Sequence, residues 1–423
     1  MTKSSSSPRR EFLRKLFVGA AATMTLPSLA AAGPVPEMPV DGDPLDERYW
    51  EMIKQQFAVP TNRVMMNAAN LCPPPYGVAQ KVEQTLTDLG QDVSFQFRDK
   101  FDVIRVTSLE KLSAYLGVSK DEVAITRNTS EGNNIIVNGF DLKAGDEVVL
   151  WDENHESNLI SWEYRAKRLG FTVKKVTLPA NPASKEEIIQ QFQKAMTSRT
   201  RVLAFSHISN HNAIVLPARE LCALARSKNI LTHIDGAQSF GFMDLNLKEL
   251  GCDSYTGSLH KWFMGPFETG VLYLRKELVD RLWPQIISAG WAESAKSVDA
   301  RYGILGQRNE AMPAAIPEAV DFHLKIGKPV VEARVRELNR YLRAQLAAKV
   351  PNVQFTSPEA LTANITFFNV PGKTSDQIYR ELYSTYGIAS APMAGVRLSP
   401  NIYITMGDID RVVDAVTRIA RGA

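Results

Sequence analysis

Ile230-Leu231-Thr232-His233-Ile234-Asp235-Gly236-Ala237-Gln238 is a short apolar run that stops at a carboxylate and a glycine turn. The pattern predicts a buried strand over 230–234 with Asp235 at its carboxyl end. Comparable runs lie at 123–126, 147–151, 173–177 and 202–206 before it, and at 254–258 and 270–274 after it. Helix-length amphipathic segments, such as 156–169, 185–196 and 217–228, separate most of them. Strand and helix in alternation place the chain in the α/β class, with a seven-stranded, mainly parallel sheet sandwiched by helices. Ligands bind such sheets at the carboxyl ends of the strands, so the residues that follow each run are the candidates for function.

Outside this region the pattern changes. After about residue 301 come longer helices (313–326 and 330–348), short strands (363–369 and 401–405) and a closing helix from Asp408, which read as a smaller α+β domain. Many arginines on the helix over 330–346 read as a solvated face. Before residue 123, a Pro-, Gly- and Asp-rich linker runs to Asp46, and a helical pattern covers 46–57. The expected division is an export signal at 1–32, a linker and N-terminal arm at 33–65, a large domain at 66–300 and a small domain at 301–423.

Residues 1–32 hold Lys3, Arg9, Arg10, Arg14 and Lys15 against Glu11, followed by a weakly apolar run from Leu16 to Leu29 and Ala30-Ala31-Ala32. A basic start, a short apolar middle and a small-residue end make a cleavable signal, and the apolar run is too short to span a bilayer. Arg9-Arg10-Glu11-Phe12-Leu13-Arg14 resembles the twin-arginine signal, with Pro8 in place of the usual Ser or Thr. The expectation is export in the folded state through the twin-arginine machinery to the periplasm, with the signal removed and no stable membrane association. Removing the +4 of this segment from the +3 of the 423-residue chain leaves −1 on the remaining 391 residues. The overall basicity therefore belongs to the signal and gives no reason to expect a nucleic-acid partner. Cys72, Cys222 and Cys252 lack CxxC spacing and read as free, buried thiols.

The strand ends carry a consistent set of polar residues. They are Arg127-Asn128-Thr129-Ser130 at a helix start, Asn154-His155-Glu156, Ser206-His207-Ile208-Ser209-Asn210, Asp235-Gly236-Ala237-Gln238 and Ser258-Leu259-His260-Lys261-Trp262. A helix start offers free N–H groups and a partial positive charge to a phosphate, although Thr129 or Ser130 alone could simply be N-caps. A lysine at one strand end and an aspartate at the neighbouring one are what pyridoxal phosphate requires. The aldehyde needs an amine for a Schiff base, and the pyridine nitrogen needs a carboxylate to stay protonated. His207 and His211 have a metal-pair spacing, but they lie in a loop with no third ligand in evidence, so no metal is expected.

With these motifs in this order, the sequence resembles the class V aminotransferase family of fold-type I pyridoxal phosphate enzymes over nearly the whole mature chain. Gly306-Gln307-Arg308-Asn309-Glu310-Ala311, the stretch Asp321-Phe322-His323-Leu324-Lys325-Ile326-Gly327 and Glu332-Ala333-Arg334-Val335 look like its isopenicillin N epimerase-like branch. The resemblance implies that Lys261 forms the Schiff base and shuttles protons, Asp235 pairs with the pyridinium, and His155 stacks on the ring. It implies that Gln238 and Asn210 bond the phenolic oxygen and that Thr129, Ser130, Ser258 and His260 bind the phosphate. Gln307 would reach that phosphate from the partner of a homodimer, and Arg397 would bind a substrate carboxylate through a two-point fork. The family pattern usually continues from Asn210 into a glycine, whereas this chain has His211-Asn212-Ala213-Ile214.

The reaction is less determined than the cofactor. Cysteine desulfurases of this fold use a cysteine in the C-terminal part, and no Cys follows position 252. Transamination, epimerisation and carbon-sulfur lysis of an amino-acid or peptide substrate stay open, as does ligand binding without turnover. The epimerase-like branch together with a twin-arginine signal resembles the periplasmic pyridoxal phosphate enzymes that modify the glutamate side chain of the siderophore pyoverdine.

Overall fold

The computed structural model describes Met38, residues 42–179 and residues 181–422. The segment expected to be an export signal and most of the expected linker lie outside the described residues. Residues 38–423 cluster as one compact unit.

The strands in chain order are β1 (Val64–Met65), β2 (Val123–Thr126), β3 (Glu147–Trp151), β4 (Thr172–Val176), β5 (Thr200–Ser206), β6 (Leu231–Asp235), β7 (Ser254–Ser258), β8 (Gly270–Leu274), β9 (Gln354–Phe355), β10 (Thr366–Asn369), β11 (Ile388–Ala389), β12 (Ala391–Pro392) and β13 (Val396–Leu398). The main sheet has the order β2-β8-β7-β6-β5-β3-β4, and only β8 runs antiparallel to its neighbours. This is the seven-stranded, mainly parallel sheet expected from the sequence, with strand limits within two residues of those read there.

Helices cover both faces, which is why the central strands are apolar throughout rather than alternating. The pleat sends successive residues to opposite sides. Val149, Trp151, Leu203 and Phe205 enter one core cluster, while Val148, Leu150, Val202 and Ala204 enter another. Burying each such side chain contributes about 1.5–3 kcal/mol, so a one-residue slip of register would reverse a large gain.

A second sheet, β12-β13-β10-β9, is antiparallel and packs with the helices Lys328–Lys349 and Met406–Arg421. Its core takes residues from both ends of the chain, with Trp50, Ile53, Phe57 and Val64 packed among Leu338, Leu342, Phe367 and Val412. β1 pairs in parallel with β11, tying the N-terminal arm to this layer.

Three expectations are corrected here. Residues 401–405 form a turn and not a strand, because the Asn401 side chain is held by the Trp262 carbonyl at 3.1 Å and its backbone carbonyl accepts from Ile404 N. The ladder position goes instead to β13, whose Arg397 lies opposite Phe367. The helix expected over 313–326 is two pieces, Ala311–Ala314 and Ile316–Ile326, since Pro317 at the second start has no N–H to continue the ladder. The arginines of the long helix are not all solvated. Arg334 is 3% exposed, pairs with Glu47 and Glu337 and lies over the Trp50 ring, while Arg343 is buried against Phe355 and the Ser357 carbonyl. Sequence periodicity could not show that the N-terminal arm covers this face.

Candidate active site

The registers of the main sheet bring the strand ends together. β6 and β7 pair with Asp235 opposite Thr256, so the Asp235 carboxylate and the segment leading to Lys261 emerge side by side. The chain must turn at once after Asp235. Gly236 permits this because an added Cβ there would lie 1.9 Å from Tyr255 Cζ.

Asp235 is 3% exposed and accepts from Ala237 N at 3.0 Å and from Asn133 Nδ2 at 2.9 Å. Lys261 follows the end of β7 by three residues, and among the described residues no hydrogen-bond partner holds its amine. Burial lowers the amine to about 8, Asp235 opposes that shift and Arg397 adds to it. A buried lysine at this value is partly neutral near pH 7 and is therefore a competent nucleophile.

Thr129 and Ser258 meet directly, with Thr129 N donating to Ser258 Oγ at 3.1 Å and the two hydroxyl oxygens 2.7 Å apart. The N-cap of the helix Thr129–Gly139 is Asn128, whose side chain accepts from Glu131 N. Thr129 and Ser130 are thus the first two helical residues, and capping does not account for them. Ser130 is exposed at the same helix start. His260 is lowered to about 4, chiefly by burial and next by Lys261, and its buried Nδ1 has no partner.

Asn210 is 6% exposed with an unpartnered side chain, in a loop closed by Ser209 N to the Ile214 carbonyl. Ala213 in this loop has φ +62°, a left-handed conformation that glycine adopts without cost. Gln238 is fixed by Nε2 donating to the Ala69 carbonyl at 2.9 Å and Oε1 accepting from Trp262 Nε1 at 2.8 Å, so one amide hydrogen is left for a ligand.

His155 caps the helix Glu156–Leu169, with Nδ1 accepting from Ser157 N at 3.1 Å. Burial lowers its pKa, Asp235 opposes this and Lys261 adds to it, which puts the ring in the same electrostatic neighbourhood. Arg397 on β13 is 6% exposed and lowered to about 10 by burial. Its Nη2 donates to Asn67 Oδ1 at 3.1 Å and its buried Nε has no partner. The second sheet thereby delivers an under-satisfied guanidinium to the lysine.

Not every candidate joins this set. Gln307 bonds Arg98 at 2.6 Å and the Arg308 carbonyl, and it contacts no other site residue of its own chain. His211 faces Glu156 at 3.5 Å, while His207 is buried with Arg336 as its charged neighbour, so the two imidazoles do not converge. Asn133, which holds Asp235, and Asn67, which holds Arg397, were not singled out from the sequence. Asn133 lies four residues after Thr129, one helical turn along the same face, and that spacing was the available signal. Asn67 carried none.

A lysine amine without a partner, the orphaned Nδ1 of His260, the paired hydroxyls at a helix start and a fixed carboxylate fit pyridoxal phosphate. Each can act on one part of that molecule.

Residues 79–412 match the family model described as Aminotransferase class-V. The isopenicillin N epimerase of Streptomyces clavuligerus is 29% identical over 390 residues, covering 87% of this chain and 97% of that protein. Among solved structures, the apo cysteine desulfurase from Thermococcus onnurineus superposes with a TM-score of 0.78 at 21% identity, covering 88% of this chain and 98% of the other. A mutant enzyme with glycine covalently linked to its pyridoxal phosphate cofactor superposes with a TM-score of 0.77 at 20% identity, covering 86% and 98%.

Proposed function

The chain belongs to the class V aminotransferase family and is a pyridoxal phosphate enzyme, and on that premise we propose that it acts at the α-carbon of an amino acid or peptide amine in the periplasm, tailoring a siderophore side chain. The observation that carries the reading is the unpartnered Lys261 amine placed under the influence of both Asp235 and Arg397. When bound, pyridoxal phosphate supplies a carbonyl for an amine and a ring that withdraws electrons from the α-carbon.

The chain's own residues do the rest. Lys261 Nζ, lowered to about 8, accepts and returns a proton at neutral pH. Asp235, pinned by Asn133 and Ala237 N, would offer a fixed carboxylate to the ring nitrogen. Thr129, Ser130, Ser258 and His260 would hold the phosphate, and His155 and Gln238 would orient the ring. Arg397 orients a substrate carboxylate with its free donors, in a pocket where burial strengthens the pairing.

Sulfur transfer through a protein thiol is disfavoured. All three cysteines are free and buried, and burial pushes Cys72 and Cys222 up to about 12. The likeness to isopenicillin N epimerase keeps epimerisation of a small amino acid as a second reading.

Export is supported by the twin-arginine-like run and by the charge confined to residues 1–32. A homodimer, with Gln307 reaching the partner's phosphate, is supported by exposed apolar side chains at Val93, Phe95, Val103, Trp283 and Ile287. Metabolite profiling of the periplasm with and without the gene tests the function. An accumulating siderophore precursor supports tailoring, whereas an unchanged siderophore pattern rejects it.

A further inference from the structure

The Asp235 carboxylate rests on a buried polar chain that none of the sequence motifs marks. Asn133 Nδ2 donates to Asp235 Oδ2 at 2.9 Å, while Asn133 Oδ1 lies 2.7 Å from Thr256 Oγ1 and 3.0 Å from His233 Nε2. On the far side, His233 Nδ1 lies 2.9 Å from Ser254 Oγ. Asn133, His233, Ser254 and Thr256 are all wholly buried.

The strand register makes this arrangement. Residues 233 and 235 share a face of β6, and the pairing sets Ser254 opposite His233 and Thr256 opposite Asp235. Asn133 descends onto that face from the helix Thr129–Gly139.

Hydrogen-bond bookkeeping fixes the direction of every bond. A carboxylate only accepts, so the amide nitrogen of Asn133 faces Asp235 and its oxygen faces Thr256 and His233. Burial lowers His233 to about 4 against the opposing charge of Asp235, so the ring is neutral and carries one N–H. That hydrogen must be on Nε2, because the other tautomer would set two acceptors against each other in the core. Nδ1 then accepts from the Ser254 hydroxyl at 2.9 Å, in preference to the longer contact of that hydroxyl with the Thr232 carbonyl at 3.3 Å. The charged group facing His233 is Asp235 on its own strand, and the groups facing it from the helix and from β7 are uncharged.

We infer that Asn133 and His233 are positioning residues that hold Asp235 through a one-directional chain of donors, running from Ser254 through the Nε2–H tautomer of His233 and the Asn133 amide. The hydrogens that meet the carboxylate, from Asn133 Nδ2 and Ala237 N, then belong to groups that do not titrate. The consequence for the cofactor's ring nitrogen rests on the proposed role of Asp235, while the tautomer itself does not.

The full chain with bound cofactor, labelled with 15N-histidine, tests this by NMR, the His233 signal being assigned by its loss in His233→Gln. The expected result is the Nε2–H tautomer unchanged from about pH 5.5 to 8. The Nδ1–H tautomer, or a titration midpoint inside that window, overturns the inference. In Asn133→Asp a second carboxylate replaces the donor. The visible band of the bound cofactor should then gain a pH midpoint that the wild type lacks, and cofactor affinity should fall at least about tenfold. His233→Gln, whose amide can still donate to Asn133, should keep the wild-type band. A wild-type band and affinity in Asn133→Asp overturn the inference, and if that variant does not fold the NMR arm decides alone. A cofactor band indifferent to Asp235→Ala would remove the functional role of Asp235 and leave the tautomer standing.

Discussion

At the amino end of the main sheet, Glu147 accepts from Thr197 Oγ1 at 2.6 Å and from Arg199 Nε at 2.9 Å, and Lys174 Nζ lies 2.9 Å away. Asp146 pairs with Arg201, and Asp253 binds Thr232 and Arg275. At the carboxyl end, some ten to twenty ångströms along the same strands, the Lys261 and Asn210 side chains have no hydrogen-bond partner among the described residues, and His260 Nδ1 and Arg397 Nε are buried and unsatisfied. At the amino end most polar groups close on one another and contribute to stability, Arg275 Nε being buried without a hydrogen bond. The other end leaves donors open at a cost that a ligand can recover. The contrast agrees with the site that the motifs mark.

Substitutions at the two ends should therefore separate activity from stability. The largest effect is expected for Lys261→Ala, which should lose the borohydride-reducible link between cofactor and protein and at least about 10³-fold in turnover. Persistence of the link elsewhere in the chain would overturn the assignment.

Asp235→Ala should retain part of the cofactor and lose about 10- to 100-fold in turnover, the value of one charge-assisted bond of about 1.5–3 kcal/mol. Undiminished turnover would remove Asp235 from the site.

The smallest effect is expected at the other end. Glu147→Gln should leave turnover unchanged and lower stability by about 1–2 kcal/mol, measured by denaturant unfolding, since Arg199 is solvent-screened. Bonds to Thr197 first, and to Lys174 next, hold the folded carboxyl down at about 2 from its ordinary 4.5. A folded value below the unfolded one contributes stability that is present above about pH 4.5 and lost as pH falls toward 2. The gap between wild type and variant should narrow over that window, and a gap that widens on acidification contradicts the pairing.

How far the site could be read in advance varied with the kind of residue. Lys261, Asp235, Asn210 and His155 stand directly after strands or at a helix start, and a one-dimensional pattern is enough to find such positions. Asn133, His233 and Asn67 act inside the fold. Asn133 and Asn67 meet partners 100 or more residues away, His233 bridges Asn133 and Ser254, and apart from the one-turn offset of Asn133 from Thr129 no local spacing announces them. Residues 401–405 failed as a strand for the same reason, because Asn401 is claimed by Trp262 from the other sheet's domain of sequence. Arg334 was misjudged because Glu47 and Trp50 cover it from the far end of the chain.

The sequence by itself determined the α/β alternation, the positions where strands end and the chemistry carried there, because apolar periodicity and turn residues are local properties. Only the tertiary structure decided which polar groups are paired and which are left open. Pairing depends on strand order and register, and these bring Asn133 to Asp235, Thr129 to Ser258 and Arg397 to the neighbourhood of Lys261.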